Sequence, residues 1–326
     1  MTAVLGLAPV PLVGWDAGDD AWHAARARGV GASSAATVLG FIKWRTPWQV
    51  WAEKTGARRP PDELSTAADL GNDLEPWLLN QASKLLRQPV ARTGHRLYAH
   101  PVHQWRLCSP DGHVRGDGRL VELKTAGLAS GWGIPDGWDD DRLPLGYEIQ
   151  ARWQMHVMDS PAVEFVALVA GLGVIHRTVT RDRDVEEDLV TQVDDWWQRF
   201  VIGGEEPPFE VADKKTVAYL YPLPTRESVD LDRTDAPSLL ARRKAATERR
   251  KAAETDLDLI DTRLKALLGD HDEGRIDGRV AYTWAAKKGA VDWKRLYADA
   301  VDKGADLPDP ETYRKPSTRS LNVKDS

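Results

Sequence analysis

The chain holds a single cysteine, Cys108, in 326 residues. One thiol cannot build an intramolecular disulfide framework or supply a four-cysteine zinc or iron–sulfur site. Cys108, lodged in an apolar approach to an acidic segment, reads as a small core residue. Long apolar runs are missing too, and the amino end has no basic stretch followed by an apolar one. The expectation is therefore a soluble, cytoplasmic protein with no membrane contact. A basic excess is also lacking, the formal net charge being −6. That average conceals a patch: residues 21–60 carry Arg26, Arg28, Lys43, Arg45, Lys54, Arg58 and Arg59 against Glu53 alone. Such a wall would attract a phosphate backbone locally while the remaining surface stays acidic; ordinary solubility charge is the plainer reading.

What is present concentrates between Ser109 and Lys124. Asp111 lies on a Pro-Asp-Gly turn, and the apolar run that follows delivers Glu122 and Lys124 to one face, since side chains two apart on a strand point the same way. Two carboxylates and an ammonium then converge. Convergent carboxylates repel each other unless a hard divalent cation sits among them, and Mg²⁺ takes oxygen ligands of this kind while keeping several waters. A phosphodiester is the natural third party. The spacing alone is loose, and a surface hairpin with solvated charges would also produce it.

Three further segments stand in order around this one. Gly71-Asn72-Asp73-Leu74-Glu75-Pro76-Trp77 reads as a helix start capped by Asn72 or Asp73, with Glu75 in the first turn, where the helix dipole favours an acid. Tyr147-Glu148-Ile149-Gln150, followed by Trp153, Gln154 and Met155, reads as a helix that either carries Gln150 to the acids or leaves it in solvent. Arg26-Ala27-Arg28-Gly29-Val30-Gly31-Ala32-Ser33-Ser34 combines cations with small residues, which let backbone approach an anion closely. A tightly packed Gly-Ala-Ser helix start is the alternative.

Taken together these residues resemble the YqaJ-type viral recombinases, a lambda-exonuclease-like family of PD-(D/E)XK nucleases, over roughly residues 21–205. The resemblance implies an α/β fold, a PD-(D/E)XK core in which helices flank a mixed central sheet. It implies that Asp111, Glu122 and Lys124 are catalytic and that Gln150 lies beside the scissile phosphate. Glu75, Asp111, Glu122 and the backbone carbonyl of Leu123 would be the metal ligands, for two Mg²⁺ ions or Mn²⁺ in their place. Arg26 or Arg28, with Ser33 and Ser109, would hold DNA and its 5′-phosphate; the spacing to Ser33 leaves the choice of arginine open. The partners implied are double-stranded DNA ends, a single-strand annealing protein and further copies of the chain in a homo-oligomer, a trimeric ring being the lambda-type form. If the gene is viral, the compartment is the host bacterial cytoplasm.

Along the chain, residues 1–20 read as a loose lead-in and 21–205 as the nuclease domain. Within it Thr46-Pro47 starts a helix running through Trp48 and Trp51 towards Gly56. Residues 89–124 read as strands, and Gly127–Pro144 as a long loop whose Trp132 and Trp138 either meet terminal bases or anchor the loop. Two β-rich runs, Val163–Ala170 and Val174–Val179, suggest a hairpin, and 184–202 an amphipathic helix. Residues 206–236 read as a linker and 237–326 as a helical extension. In that extension Leu239, Ala246, Ala253, Leu257, Ile260, Leu264 and Leu267 form a heptad-like stripe.

The leading expectation is a metal-dependent 5′→3′ exonuclease on double-stranded DNA ends that releases mononucleotides and leaves 3′ tails. A structure- or site-selective endonuclease with the same metals, and a non-catalytic DNA-binding or assembly module, are the alternatives.

Overall fold

The computed structural model describes residues 8–13, 18–61, 66–94, 96–127, 143–223, 228–231, 235–286, 289–305 and 307–314. Trp132 and Trp138 lie outside them. Contacts divide the chain into two units, 1–221 and 222–326. No helix of the described residues is long and apolar enough to cross a membrane.

The first unit is α/β. Its central sheet has the order β2 (Val90–Arg92), β5 (Gly112–Val114), β6 (Leu120–Ala126), β7 (Ala162–Val169), β8 (Gly173–Thr180). All neighbours are antiparallel except β6 and β7. A parallel pair needs a crossover, and α5 (Leu145–Met158) lies in that connection. Alternation along β6 sorts its two faces. Val121 and Leu123 pack with Leu78, Leu79 and Ala82 of α4 (Thr66–Leu86), whereas Leu120 joins Ala151 and Met155 of α5. Glu122 and Lys124 share the register of Leu120 and so face α5. This is the expected mixed sheet flanked by helices.

A second core joins α2 (Ala32–Val38) and α5 to α6 (Arg183–Trp196), which continues as a π-helical turn through Ile202. α3 (Pro47–Thr55) forms as its sequence dictates: Thr46 and Gln49 make a reciprocal capping box and Gly56 closes the helix at φ 71°.

Three local expectations need correcting. Residues 1–20 are no loose lead-in throughout, because β1 (Val10–Val13) pairs with β3 (Leu97–Ala99), and β3 with β4 (Leu107–Cys108). α1 (Gly18–Ala27) begins in the same segment. Neither Asn72 nor Asp73 starts a helix: α4 begins at Thr66, so Glu75 and Pro76 are in its interior. Finally, part of the 206–236 linker packs on α3. Trp48 Nε1 donates to Glu206 (2.7 Å), Phe209 stacks on Trp48 at 5.0 Å between centroids, and Thr46 Oγ1 donates to the buried Asp213 (2.6 Å). α7 (Lys214–Leu220) completes this strap.

Gly29 is where the arginine-bearing loop meets β4. Val30 N–H donates to the Trp105 carbonyl (2.8 Å) and Leu107 N–H to the Val30 carbonyl (2.9 Å). A Cβ on Gly29 would stand 2.0 Å from Trp105 O. Gly29→Ala is expected to cost about 1–3 kcal/mol through forced backbone displacement; an unchanged urea midpoint would contradict this contact.

In the second unit, α8 (Asp235–Leu268) is followed by the β9–β10 hairpin (Glu273–Ile276 and Arg279–Thr283) and by α9 (Trp293–Asp302). Among its described residues the extension is thus helical with one small sheet.

Candidate active site

β5 pairs with β6 only at Gly112–Val121 and His113–Leu120. Beyond Val121 that edge of β6 is met by a side chain: Leu123 N–H donates to Asp111 Oδ2 (2.7 Å). The Asp111 carbonyl in turn accepts from Thr93 N–H (2.9 Å), which fixes the turn. The second acid is on the same strand. Glu122 is 3% exposed and bonded at both oxygens: Oε1 accepts from Lys124 Nζ and Gln150 Nε2, and Oε2 from Gln154 Nε2 (2.7 Å). The Lys124 ammonium also lies 5.2 Å over the Tyr147 ring. Tyr147, Gln150 and Gln154 are spaced by three and four residues, one face of α5.

The electrostatics follow from burial. Burial and the neighbouring Glu122 carboxylate push Asp111 well above the usual carboxylate range, while Lys124 and the Leu123 N–H pull it back. For Lys124, burial works against the charge, but Glu122 and Asp111 outweigh it and hold the ammonium above its ordinary range. Two acids are thus crowded together with one cation between them. Asp111 and Glu122, with the Leu123 carbonyl, are oxygen donors of the kind that hold a hard divalent ion, and a set with few carboxylates suits one that retains water.

Glu75 stands differently. It accepts from Arg92 Nε at 2.7 Å, although its charge still contributes to raising Asp111. Gly71, one turn earlier, faces the end of β6, a Cβ there lying 3.6 Å from Thr125 Oγ1. Among the described residues no three His, Cys, Asp or Glu side chains gather as a ready-made metal cage. The structure therefore joins Asp111, Glu122, Lys124 and Gln150, and leaves Glu75 ion-paired at the border. Glu164 on β7 is a further buried carboxylate, but Arg119, His176 (2.8 Å) and Thr178 (2.6 Å) saturate it, so its work is structural.

The arginine loop also takes a definite form. Arg26 Nη2 donates to Ser33 Oγ (3.1 Å) and its guanidinium lies 5.1 Å over Trp22, whereas Arg28 is exposed. Gly31 leaves room for Arg26, whose Nη1 would be 3.7 Å from a Cβ at that position. Beneath it the fully buried Lys54 ammonium donates to the Arg26 carbonyl (2.8 Å) and to Glu53 (2.7 Å), and Arg45 also bonds Glu53. Burial, only partly offset by Glu53, lowers Lys54 to about 8. Burial opposes the Glu53 charge, yet Lys54 and Arg45 hold it at about 2. Ser109 is half-buried between β4 and Asp111, so the strand touched by the arginine loop runs directly into the acidic turn.

Two contributions lie outside the motifs of the sequence. Gln154 is 1% exposed and holds the second oxygen of Glu122; its signal was a polar residue four positions from Gln150 on an otherwise buried face. The Glu53–Lys54 support gave no signal beyond ordinary helix charge.

Residues 21–161 match the family model of the YqaJ-like viral recombinase domain. The uncharacterized protein YqaJ of Bacillus subtilis (strain 168) is 26% identical over 193 residues, 59% of this chain and 59% of that protein. The match thus spans less than two thirds of that relative's length. Among solved structures, the alkaline exonuclease LHK-Exo from Laribacter hongkongensis is 21% identical, with 56% of this chain and 92% of that one covered at a TM-score of 0.43. A phage related exonuclease from Haemophilus somnus 129PT is 12% identical, with 54% and 96% covered at a TM-score of 0.39. Asp111, Glu122, Lys124, Gln150 and the Arg26–Ser33 pair all lie within residues 21–161, the segment that matches the YqaJ-like viral recombinase domain.

Proposed function

We propose that the protein is a metal-dependent 5′→3′ exonuclease that acts on double-stranded DNA ends, releases 5′-mononucleotides and leaves 3′ single-stranded tails for a single-strand annealing protein. The observation that carries this reading is the Asp111–Glu122–Lys124 cluster with Gln150, a half-buried group inside the segment that matches the family model. Asp111, Glu122 and the Leu123 carbonyl would hold the cation, Mg²⁺ being the ion that suits the donors, and Glu75 would join the outer set once released from Arg92. Such an ion, when bound, acidifies water and neutralises phosphate oxygens.

The protein's own groups do the positioning. Lys124, a compact point charge, orients the nucleophile and stabilises charge developing on the phosphate. Gln150 places the attacked group, and Gln154 keeps Glu122 from rotating. Water oxygen bonds to phosphorus as the P–O3′ bond breaks, so the departing nucleotide keeps its own 5′-phosphate and the shortened strand bears a new one. Polarity rests on Arg26 and Ser33, which would hold that regenerated phosphate for the next turnover.

The test compares a linear duplex with 5′-phosphate ends, the same duplex with 5′-hydroxyl ends, and a closed circle, each with Mg²⁺. Rapid loss of the first, slower loss of the second and survival of the third are expected. Equal digestion of all three would exclude an end-recognising enzyme, and cutting of the circle would favour an endonuclease.

A further inference from the structure

Within its own unit, the described residues flank α8 at its carboxyl-terminal end. Tyr282 Oη donates to the Leu264 carbonyl (3.1 Å) and the Lys265 ammonium lies 6.0 Å over Trp284, so the hairpin flanks the carboxyl-terminal turns. From 235 to 263 no described residue is buried. At 1.5 Å per residue the helix is about 50 Å long, and helices in proteins owe most of their stability to packing an apolar stripe. The stripe is there: Leu239, Ala246, Ala253, Ile260 and Leu267 recur every seven residues. Leu257 and Leu264 supply the second line of a heptad seam in the carboxyl-terminal half, and Arg243 and Arg250 hold the same positions in the amino-terminal half. Leu239, Leu257, Ile260 and Leu267 are 59, 60, 51 and 80% exposed.

That distribution selects both the occupant and its direction. Two parallel copies would set Arg243 on Arg243 and Arg250 on Arg250 inside the seam, like charges at the closest contacts. Antiparallel alignment about the helix midpoint instead sets Leu239 against Leu264, Ala246 against Leu257, and Arg243 against Ile260 of the second copy. Small residues then meet large ones, and arginine stems cover apolar surface while their heads reach water. The same alignment lays the basic half, Arg242 to Lys251, beside the acidic half that carries Glu254, Asp256, Asp258 and Asp261. We infer that α8 is a self-association surface whose occupant is α8 of a second copy, paired antiparallel.

Cysteine cross-linking of the full chain tests this, because Cys108 is 1% exposed and introduced thiols are the accessible ones. The double variant Ala246→Cys/Leu257→Cys should form a covalent dimer on mild oxidation and lose it on reduction. Each single variant should form none, since identical positions would lie about 16 Å apart along the antiparallel axes. Cross-linking by either single variant would show parallel pairing and overturn the inference, as would no dimer from the double variant. Ile260→Asp/Leu267→Asp gives a second reading: the sedimentation mass should fall at least twofold with the helical signal retained. An unchanged mass would overturn it.

Discussion

Asp111→Ala and Lys124→Ala should each lower the rate of magnesium-dependent digestion of linear duplex DNA by at least about 10²- to 10³-fold, the scale for losing one group that acts on the charge developed during reaction. The two variants fail for different reasons. Without Asp111 one of two oxygen-donor carboxylates is gone, so DNA binding should survive while cleavage disappears. Without Lys124 the acids stay, but Glu122 loses its ammonium partner. Stability separates both outcomes from simple unfolding. Burial, and next the neighbouring Glu122 carboxylate, raise the proton affinity of Asp111; its removal relieves that repulsion but leaves the Leu123 N–H without its acceptor, so the melting temperature of Asp111→Ala should change by only a few degrees. Retained digestion in either variant would refute the assignment of the site. A protein with no cleavage in any form, the wild type included, would be a binding or assembly module.

Arg26→Ala should slow digestion of 5′-phosphorylated ends by about 10- to 100-fold, the equivalent of the ~1.5–3 kcal/mol that a hydrogen bond to a charged group contributes. The same change should matter far less on 5′-hydroxyl ends, so the preference between the two substrates collapses. Arg28→Ala serves as the comparison, because Arg28 is exposed and Arg26 is the arginine bonded to Ser33. If both variants lowered digestion of both ends equally, Arg26 would contribute general attraction for the backbone and no recognition of a terminal phosphate.

The parts of this molecule that were legible in its sequence are those decided locally. Thr46, Pro47 and Gly56 announce α3 because capping box, first-turn proline and left-handed glycine act within a few residues of themselves. Period-two alternation sent Glu122 and Lys124 to one side of β6, and the turn glycines between Val169 and Val174 marked the β7–β8 hairpin. What escaped was decided at a distance. Asn72 and Asp73 have the chemistry of caps, yet α4 runs through them because Leu78, Leu79 and Ala82 bury against the sheet and the helix starts upstream. The strap from Glu206 to Asp213 reads as a linker until Trp48 and Thr46 are seen to bond to it across the fold. That Arg26 is the arginine bonded to Ser33, with Lys54 on its carbonyl, is set by packing that spacing could not order.

The crossover between β6 and β7 has a consequence for the life of the chain in a cell. Glu122 and Lys124 leave the ribosome well before Gln150 and Gln154, and β6 receives its parallel neighbour only when residues 163–169 have followed. A nascent or prematurely terminated polypeptide ending short of that point holds the acids but has no scaffold to clench them. Under the proposed activity, synthesis itself acts as a safety catch: fragments lacking that scaffold would not degrade DNA ends in the cell that is making them.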